Sequence, residues 1–163
     1  MRDRWLSRPL ALVVLLGCNA IVGIEEPTDA PVAPPAPADP FVGRWVSDVP
    51  PAVDRLSGCA NPRNSVDLNG RYIFNIKRLP SGAIQGTNEA NPACQATLTV
   101  EGSSASLASA SSCVFTGFTV QYKSMSMTLT GSGIATLAIA GTATGSGDTC
   151  QYEAQLTLRR DGG

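Results

Sequence analysis

From Phe41 to Gly163, apolar and polar side chains alternate with a period of two residues, and this alternation constrains the fold more than any other feature. One run has apolar side chains at every second position and polar ones between them: Tyr152, Ala154, Leu156 and Leu158 against Gln151, Glu153, Gln155 and Thr157. Such alternation is typical of antiparallel strands that bury one face and expose the other. No apolar stripe with helical spacing persists here, so the sequence predicts an all-β domain over residues 41–163.

Turn-forming clusters rich in glycine and serine separate the alternating runs. Between these clusters we predict about eight strands, at residues 41–47, 71–78, 83–88, 94–101, 104–109, 117–130, 134–142 and 150–159. Many short antiparallel strands with regular turns favour a small up-and-down barrel, with a two-sheet β-sandwich as the alternative. The run 117–130 changes its alternation near Lys123 and Ser124. A β-bulge there would restore the inward face, and a break into two strands is the alternative.

Composition excludes nucleic-acid binding and restricts the groups available for catalysis or metal binding. Lys and Arg total 12 against 13 Asp and Glu, so the net charge of -1 excludes the basic surface of a nucleic-acid-binding protein. The chain has no His, which removes the commonest general base and the commonest metal ligand.

The first 17 residues have the layout of a secretory signal peptide. Arg2, Arg4 and Arg8 precede an apolar run at residues 10–16, and Gly17 and Cys18 follow that run. A basic segment, a short apolar segment and a small residue at the end are the three parts of such a signal. The apolar run is far shorter than the ~20 residues of a membrane-spanning helix.

Leu15-Leu16-Gly17-Cys18 resembles the lipobox of bacterial lipoprotein precursors. The resemblance implies cleavage before Cys18, a diacylglycerol on its thiol and an acyl chain on its new amine. Two or more acyl chains anchor a protein stably to a membrane. The expected location is therefore the bacterial cell envelope, and Asn19 in the position after the cysteine implies the outer membrane.

Residues 18–40 are predicted to link the anchor to the domain. The stretch from Pro27 to Pro40 reads PTDAPVAPPAPADP and holds half of the chain's 12 prolines. Proline lacks an N–H and has a fixed φ, so this stretch favours a disordered tether over a helix or a sheet. An extended proline-rich segment spans about 3.1 Å per residue, which gives roughly 40 Å of reach.

The cysteine count supports a disulfide-stapled domain. Five cysteines are present, and lipidation of Cys18 leaves an even number: Cys59, Cys94, Cys113 and Cys150. In a meander these four lie in odd-numbered connections, so all four sulfurs are expected at one end of the domain. Three pairings are possible, and of these we expect Cys59–Cys94 and Cys113–Cys150. No CxxC pair and no His accompany them, which favours disulfides over a metal site.

Candidate catalytic groups are few. No GxSxG motif occurs, and Lys77 and Lys123 fall on the polar faces of predicted strands. Most acids of the domain lie in turns: Asp48, Asp54, Asp67, Glu89, Glu101, Asp148, Glu153 and Asp161. We predict a protein that is not an enzyme, with no cofactor and no metal, and a hydrolase is the less favoured alternative. The densest polar group lies in the long loop 48–70, as a solvated lid or a binding loop: Asp54, Arg55, Arg63, Asn64 and Asp67.

Gly43-Arg44-Trp45, at the start of the first strand, is similar to the GxW signature of lipocalins. The resemblance implies an eight-stranded barrel whose base is closed by Trp45. It also implies that an arginine at the end of the last strand, Arg159 or Arg160, packs over the indole ring. The long loop 48–70 would then lie at the open end.

These features together predict a lipid-anchored envelope protein whose β domain serves binding or structural interaction. The alternative is a lipocalin-like carrier of a small apolar ligand, and the partner in the first case is an envelope protein or the membrane itself. A ligand cavity of a few hundred Å³ distinguishes the two. A solid barrel would be filled by inward side chains, namely Met125, Met127, Leu137, Ile139, Leu156 and Leu158.

Overall fold

The computed structural model describes residues 39–145 and 147–162. The predicted signal peptide, Cys18 and most of the predicted tether lie outside these residues. Within the described part of the chain there are eleven strands: β1 (Gly43–Ser47), β2 (Val53–Ser57), β3 (Val66–Asp67), β4 (Ile73–Arg78), β5 (Ile84–Asn88), β6 (Gln95–Glu101), β7 (Ser104–Leu107), β8 (Ser111–Phe115), β9 (Phe118–Gly131), β10 (Ile134–Gly145) and β11 (Asp148–Arg160). One 3₁₀ helix spans Pro62–Asn64. No helix in the described ranges is both long and apolar enough to span a membrane.

Eight of the strands close an antiparallel up-and-down barrel. Their order is β1, β4, β5, β6, β7, β9, β10 and β11, and β11 returns to pair with β1. These are the eight strands that the alternation predicts, in the predicted order. The barrel is therefore confirmed, and the β-sandwich alternative is wrong.

Two additional strands lie in the region predicted as the long loop 48–70. Both β1 and β2 pair with β11, and residues 48–52 connect them. Val46 of β1 lies opposite Arg159, and Asp54 of β2 lies opposite Ala154. β3 pairs with β2 and leads into β4. The loop prediction is wrong here because Asp54 occupies an inward position, where the alternation pattern expects an apolar side chain.

β8 is the third strand that the alternation does not predict. Both β7 and β8 pair with β9, at different positions along it. Ala105 of β7 lies opposite Met127, and Cys113 of β8 lies opposite Val120. Val114 is 67% exposed, and Cys113 is the buried residue of this strand. A strand with so small a buried face leaves no clear apolar pattern in the sequence.

The predicted β-bulge lies in β9 at Lys123. Ala140 of β10 pairs with Ser124, while Gly141 pairs with Tyr122, so Lys123 is the extra residue. The bulge keeps the inward face continuous from Tyr122 to Met125. Gly141 fits this close approach because a Cβ there would lie 2.3 Å from the Gln121 carbonyl oxygen.

The core fills the interior of the barrel along its length. The six predicted filling residues are all buried: Met125, Met127, Leu137, Ile139, Leu156 and Leu158. Trp45 is fully buried beside Phe41, and its Nε1 donates a hydrogen bond to the Phe41 carbonyl oxygen at 2.8 Å. Burying the indole together with its one polar atom closes the barrel where the chain enters.

The two ends of the barrel differ. The chain-entry end carries Asp39, the C-terminal end of β11 and the turns that join β4 to β5, β6 to β7 and β9 to β10. The disulfide end carries the connection from β2 to β3, the connections from β5 to β6 and from β10 to β11, and the hairpin of β8 and β9.

Candidate functional site

All four cysteines of the domain lie at the disulfide end, as predicted, but their pairing differs from the predicted one. The bonds are Cys59–Cys150 and Cys94–Cys113. The strands that the sequence pattern missed explain the difference. β2 runs beside β11, which brings Cys59 to Cys150. β8 carries Cys113 to the start of β6, where the Ser111 hydroxyl donates to the Gln95 carbonyl oxygen at 3.1 Å.

Asp148 holds the connection from β2 to β3 in place. Its carboxylate accepts hydrogen bonds from the backbone N–H groups of Ala60 and Asn61 and from the Asn64 side chain, each at 2.9 Å. The Asn61 N–H and the Asn64 amide, followed by the other backbone N–H donors, lower the pKa of Asp148 to about 2. The sulfurs of Cys59 and Cys150 lie close to this carboxylate. They are bonded to each other, so the three groups do not form a metal-ligand set.

Beside this pinned connection lies an apolar groove of about 270 Å³, the mouth groove. Its apolar lining comes from both sides of the barrel opening: Leu56, Val66, Leu68, Phe118 and Ala143. Arg63, Asn64 and Asp148 also line it and supply polar groups. Val66 is 44% exposed, so the groove presents an apolar surface to its surroundings.

The tip of the β8–β9 hairpin adjoins the mouth groove. Phe115 and Phe118 stack there with their ring centroids 5.1 Å apart, and Gly117 between the strands adopts a positive φ of 90°. The pair is not among the candidate functional residues that the sequence pattern predicts. Two phenylalanines around a Thr-Gly turn were the signal that could have identified it.

The structure separates the polar group predicted in loop 48–70. Arg63 and Asn64 line the mouth groove, whereas Arg55 points outward and forms an ion pair with Glu153 at 2.8 Å. Asp67 is exposed, and Asp54 points into the barrel. The five residues therefore do not form one site.

Asp54 forms a buried polar cluster with Tyr72. The carboxylate is 4% exposed, and its Oδ2 accepts from the Tyr72 hydroxyl at 2.7 Å and from the Gly70 N–H at 3.1 Å. Its Oδ1 has no hydrogen-bond partner among the residues that the structure describes. Burial, followed by the Asp54 charge, raises the pKa of Tyr72. Burial raises the pKa of Tyr122 to about 12 and also raises that of Tyr152. Neutral phenols of this kind donate hydrogen bonds and do not act as bases.

The barrel interior holds an apolar cavity of about 50 Å³. Its lining includes side chains from both halves of the barrel, among them Ile76, Leu98, Met125, Met127, Leu137 and Leu158. Small-molecule sites occupy roughly 300–1,000 Å³, and a single water needs only ~10–15 Å³. The interior therefore has room for a few water-sized groups, which weighs against a carrier of an apolar ligand.

Most of the remaining acids are held by arginines on the barrel surface. Asp48 pairs with Arg159 at 2.9 Å, and Glu89 and Asp161 both pair with Arg44. Glu101 is exposed, as are Lys77 and Lys123 on the outward faces of β4 and β9. Asp48 and Asp161 line one surface depression together with arginines, whereas Glu101, Lys77 and Lys123 do not line it.

The two arginines at the end of β11 take different positions relative to Trp45. Arg160 pairs in register with Trp45, but its Nη2 donates to the carbonyl oxygens of Asp39 and Val42. Arg159 is bound to Asp48. Arg160 is therefore the arginine that lies beside Trp45 on the same face of the sheet, and its packing over the indole ring stays a prediction.

Comparisons of the chain with protein-family models, with curated proteins and with solved structures found no match.

Proposed function

We propose that this chain is a lipid-anchored protein of the bacterial cell envelope, in the outer membrane, whose β domain binds another envelope protein without catalysing a reaction. Acyl groups on Cys18 would hold it, and the mouth groove would be the binding surface. The observation that supports this most directly is the separation of the two barrel ends. Asp39, where the described chain begins, is at one end, and the mouth groove is at the other.

This separation suits a tethered binding domain. Residues 19–38 connect Cys18 to Asp39, and a proline-rich segment is extended. A domain attached through its chain-entry end presents its opposite end away from the membrane. The mouth groove then faces the space where envelope partners are found.

The chemistry of the mouth groove fits a protein partner better than a small molecule. Apolar side chains such as Leu68 and Phe118 lie next to Arg63 and Asn64, which supply hydrogen-bond donors. An apolar centre with a polar rim is the usual anatomy of a protein interface, and one large side chain of a partner can act as its anchor.

The anchor is tested by fractionation of cells that produce the full chain or its Cys18→Ser variant. The full chain is expected in the membrane fraction, with acyl groups on Cys18 by mass spectrometry. The variant is expected to leave that fraction, because the remaining apolar run is too short to span. Retention of the variant in the membrane, or an unmodified Cys18 in the parent, would refute the anchor.

The binding surface is tested by co-purification from detergent-solubilised envelopes, with partners identified by mass spectrometry. Val66→Asp places a charge in the mouth groove and should abolish co-purification of an envelope partner. Val114→Asp is the matched control, because Val114 is 67% exposed and does not line the groove. Equal recovery of the partner with both variants, or no partner with the parent chain, would contradict a role for the groove.

A further inference from the structure

A second surface depression lies at the chain-entry end, opposite the mouth groove. Its volume is about 430 Å³, and four arginines line it together with two aspartates: Arg44, Arg71, Arg159 and Arg160 with Asp48 and Asp161. We name these six residues the arginine groove. Four of the chain's 12 basic residues therefore meet in one place.

The positive charge of the arginine groove is only partly neutralised. Asp48 pairs with Arg159, and Glu89 and Asp161 pair with Arg44. Arg71 is exposed, and neither Arg71 nor Arg160 has a carboxylate partner within the described ranges 39–145 and 147–162. The carbonyl oxygens that Arg160 contacts carry no formal charge to offset it. The groove thus keeps an excess of positive charge although the whole chain has a net charge of -1.

An exposed apolar side chain accompanies this charge. Val49 lines the same groove and is 59% exposed. Guanidinium groups next to an exposed apolar side chain match the boundary of a membrane, where phosphates lie above acyl chains. Arginine suits this setting because its planar fork donates two parallel hydrogen bonds to a phosphate.

The position of the arginine groove brings it toward the anchor. Arg160 donates hydrogen bonds to the carbonyl oxygens of Asp39 and Val42, so the groove adjoins the point where the chain from Cys18 enters the barrel. Acyl groups on Cys18 would keep the domain at an effective membrane concentration of roughly millimolar, so a weak contact is sufficient to hold this end of the barrel against the membrane.

We propose that the arginine groove binds the phosphate groups of anionic phospholipids, so that the domain rests on the membrane by its chain-entry end. The placement beside the membrane depends on the proposed function. The affinity of the groove for anionic headgroups does not depend on acylation and is measured without it.

The experiment uses the full chain with Cys18→Ser and measures co-sedimentation with two kinds of vesicle, phosphatidylcholine alone and phosphatidylcholine mixed with phosphatidylglycerol. Arg71→Gln is expected to weaken binding to the anionic vesicles about 5-fold, and the double variant Arg71→Gln/Arg159→Gln about 25-fold. Lys123→Gln is the charge-matched control, because Lys123 is exposed on the outward face of β9 and does not line the arginine groove. This control should bind like the parent, and added salt should weaken the binding of both. All variants share residues 1–17, so differences between them report on the groove.

Equal binding of all variants, or equal binding to neutral and anionic vesicles, would overturn the proposal. A titration with inorganic phosphate, followed by NMR, separates the two sources of phosphate. Arg71-dependent binding of inorganic phosphate without binding to anionic vesicles would indicate a soluble phosphate ligand and would also overturn the proposal. Neither result bears on the anchor. The vesicle experiment uses the Cys18→Ser chain, whereas acylation of Cys18 and its location in the membrane fraction are measured separately in cells.

Discussion

At the scale of single residues, one buried side chain organises each end of the barrel. Trp45 fills the chain-entry end and uses its N–H to bond the Phe41 carbonyl oxygen. Asp148 collects backbone and side-chain donors at the disulfide end and fixes the connection that follows β2. Each is buried with its polar atoms paired, which is the condition under which a buried polar group does not destabilise a fold.

Trp45→Ala should lower the free energy of unfolding by about 3–5 kcal/mol, because it leaves a large cavity in a core that cannot collapse around it. Trp45→Phe should restore most of the packing and lose the hydrogen bond to Phe41. Both are measured by urea denaturation. Val114→Ala is the control for an exposed position, with an expected change within ~0.5 kcal/mol. A loss below ~1 kcal/mol for Trp45→Ala would mean that the residue does not carry the core.

Asp148 should make stability depend on pH in the acid range. Hydrogen bonds to its carboxylate lower its pKa from 3.8 to about 2 in the folded protein, and unfolding removes these bonds. A lowered folded pKa contributes stability that is fully present above pH 3.8 and is lost as the pH falls through about 2. Thermal unfolding of the parent chain should therefore show a falling Tm across this window.

Asp148→Asn should lower Tm near neutral pH and flatten the fall of Tm in acid, since the amide does not titrate. Asn64→Ala removes one of the donors to this carboxylate and should give an intermediate result. The same slope of Tm against pH in the parent and in Asp148→Asn would show that this carboxylate does not supply the acid dependence.

At the scale of strands, alternation predicts an element well when its inward residues are apolar, and fails when they are not. β11 shows the first case, with Tyr152, Leu156 and Leu158 buried at alternate positions. β2 shows the second, because Asp54 takes an inward position and finds its partners in Tyr72 and Gly70, which the local sequence does not reveal. The bulge at Lys123 was predictable because the apolar residues on both sides of it change phase.

Gly141 tests how closely β9 and β10 approach at the bulge. Gly141→Ala would place a Cβ 2.3 Å from the Gln121 carbonyl oxygen, so the backbone must move. We expect a loss of about 1–3 kcal/mol in the free energy of unfolding, by denaturant titration. Gly86→Ala is the matched control, because a Cβ on this strand glycine has no atom within 4 Å. Equal effects of the two substitutions would argue against the close approach.

At the scale of the whole molecule, the mouth groove depends on strand pairings that the local alternation of side chains does not reveal. The groove needs β2 and β3 on one side and the β8–β9 hairpin on the other, and β2, β3 and β8 are the strands that the sequence pattern did not predict. The location of all four cysteines at one end of the barrel was predictable from their positions at the connections between the predicted strands. Their pairing was not, since it depends on β2 lying beside β11 and on β8 reaching the start of β6.

The two disulfides should stabilise the barrel unequally. Cys59–Cys150 closes a separation of 91 residues and Cys94–Cys113 one of 19 residues. In the chain-entropy model a loop of ~15 residues contributes about 3 kcal/mol and one of ~100 residues about 4.7 kcal/mol. The double variant Cys59→Ala/Cys150→Ala should therefore lose about 1–1.5 kcal/mol more than Cys94→Ala/Cys113→Ala in urea denaturation. Peptide mapping of the parent chain without reductant checks the pairing itself. A larger loss from the 94–113 pair would mean that closing the side of the barrel between β6 and β8 contributes more to stability than the constraint on the unfolded chain.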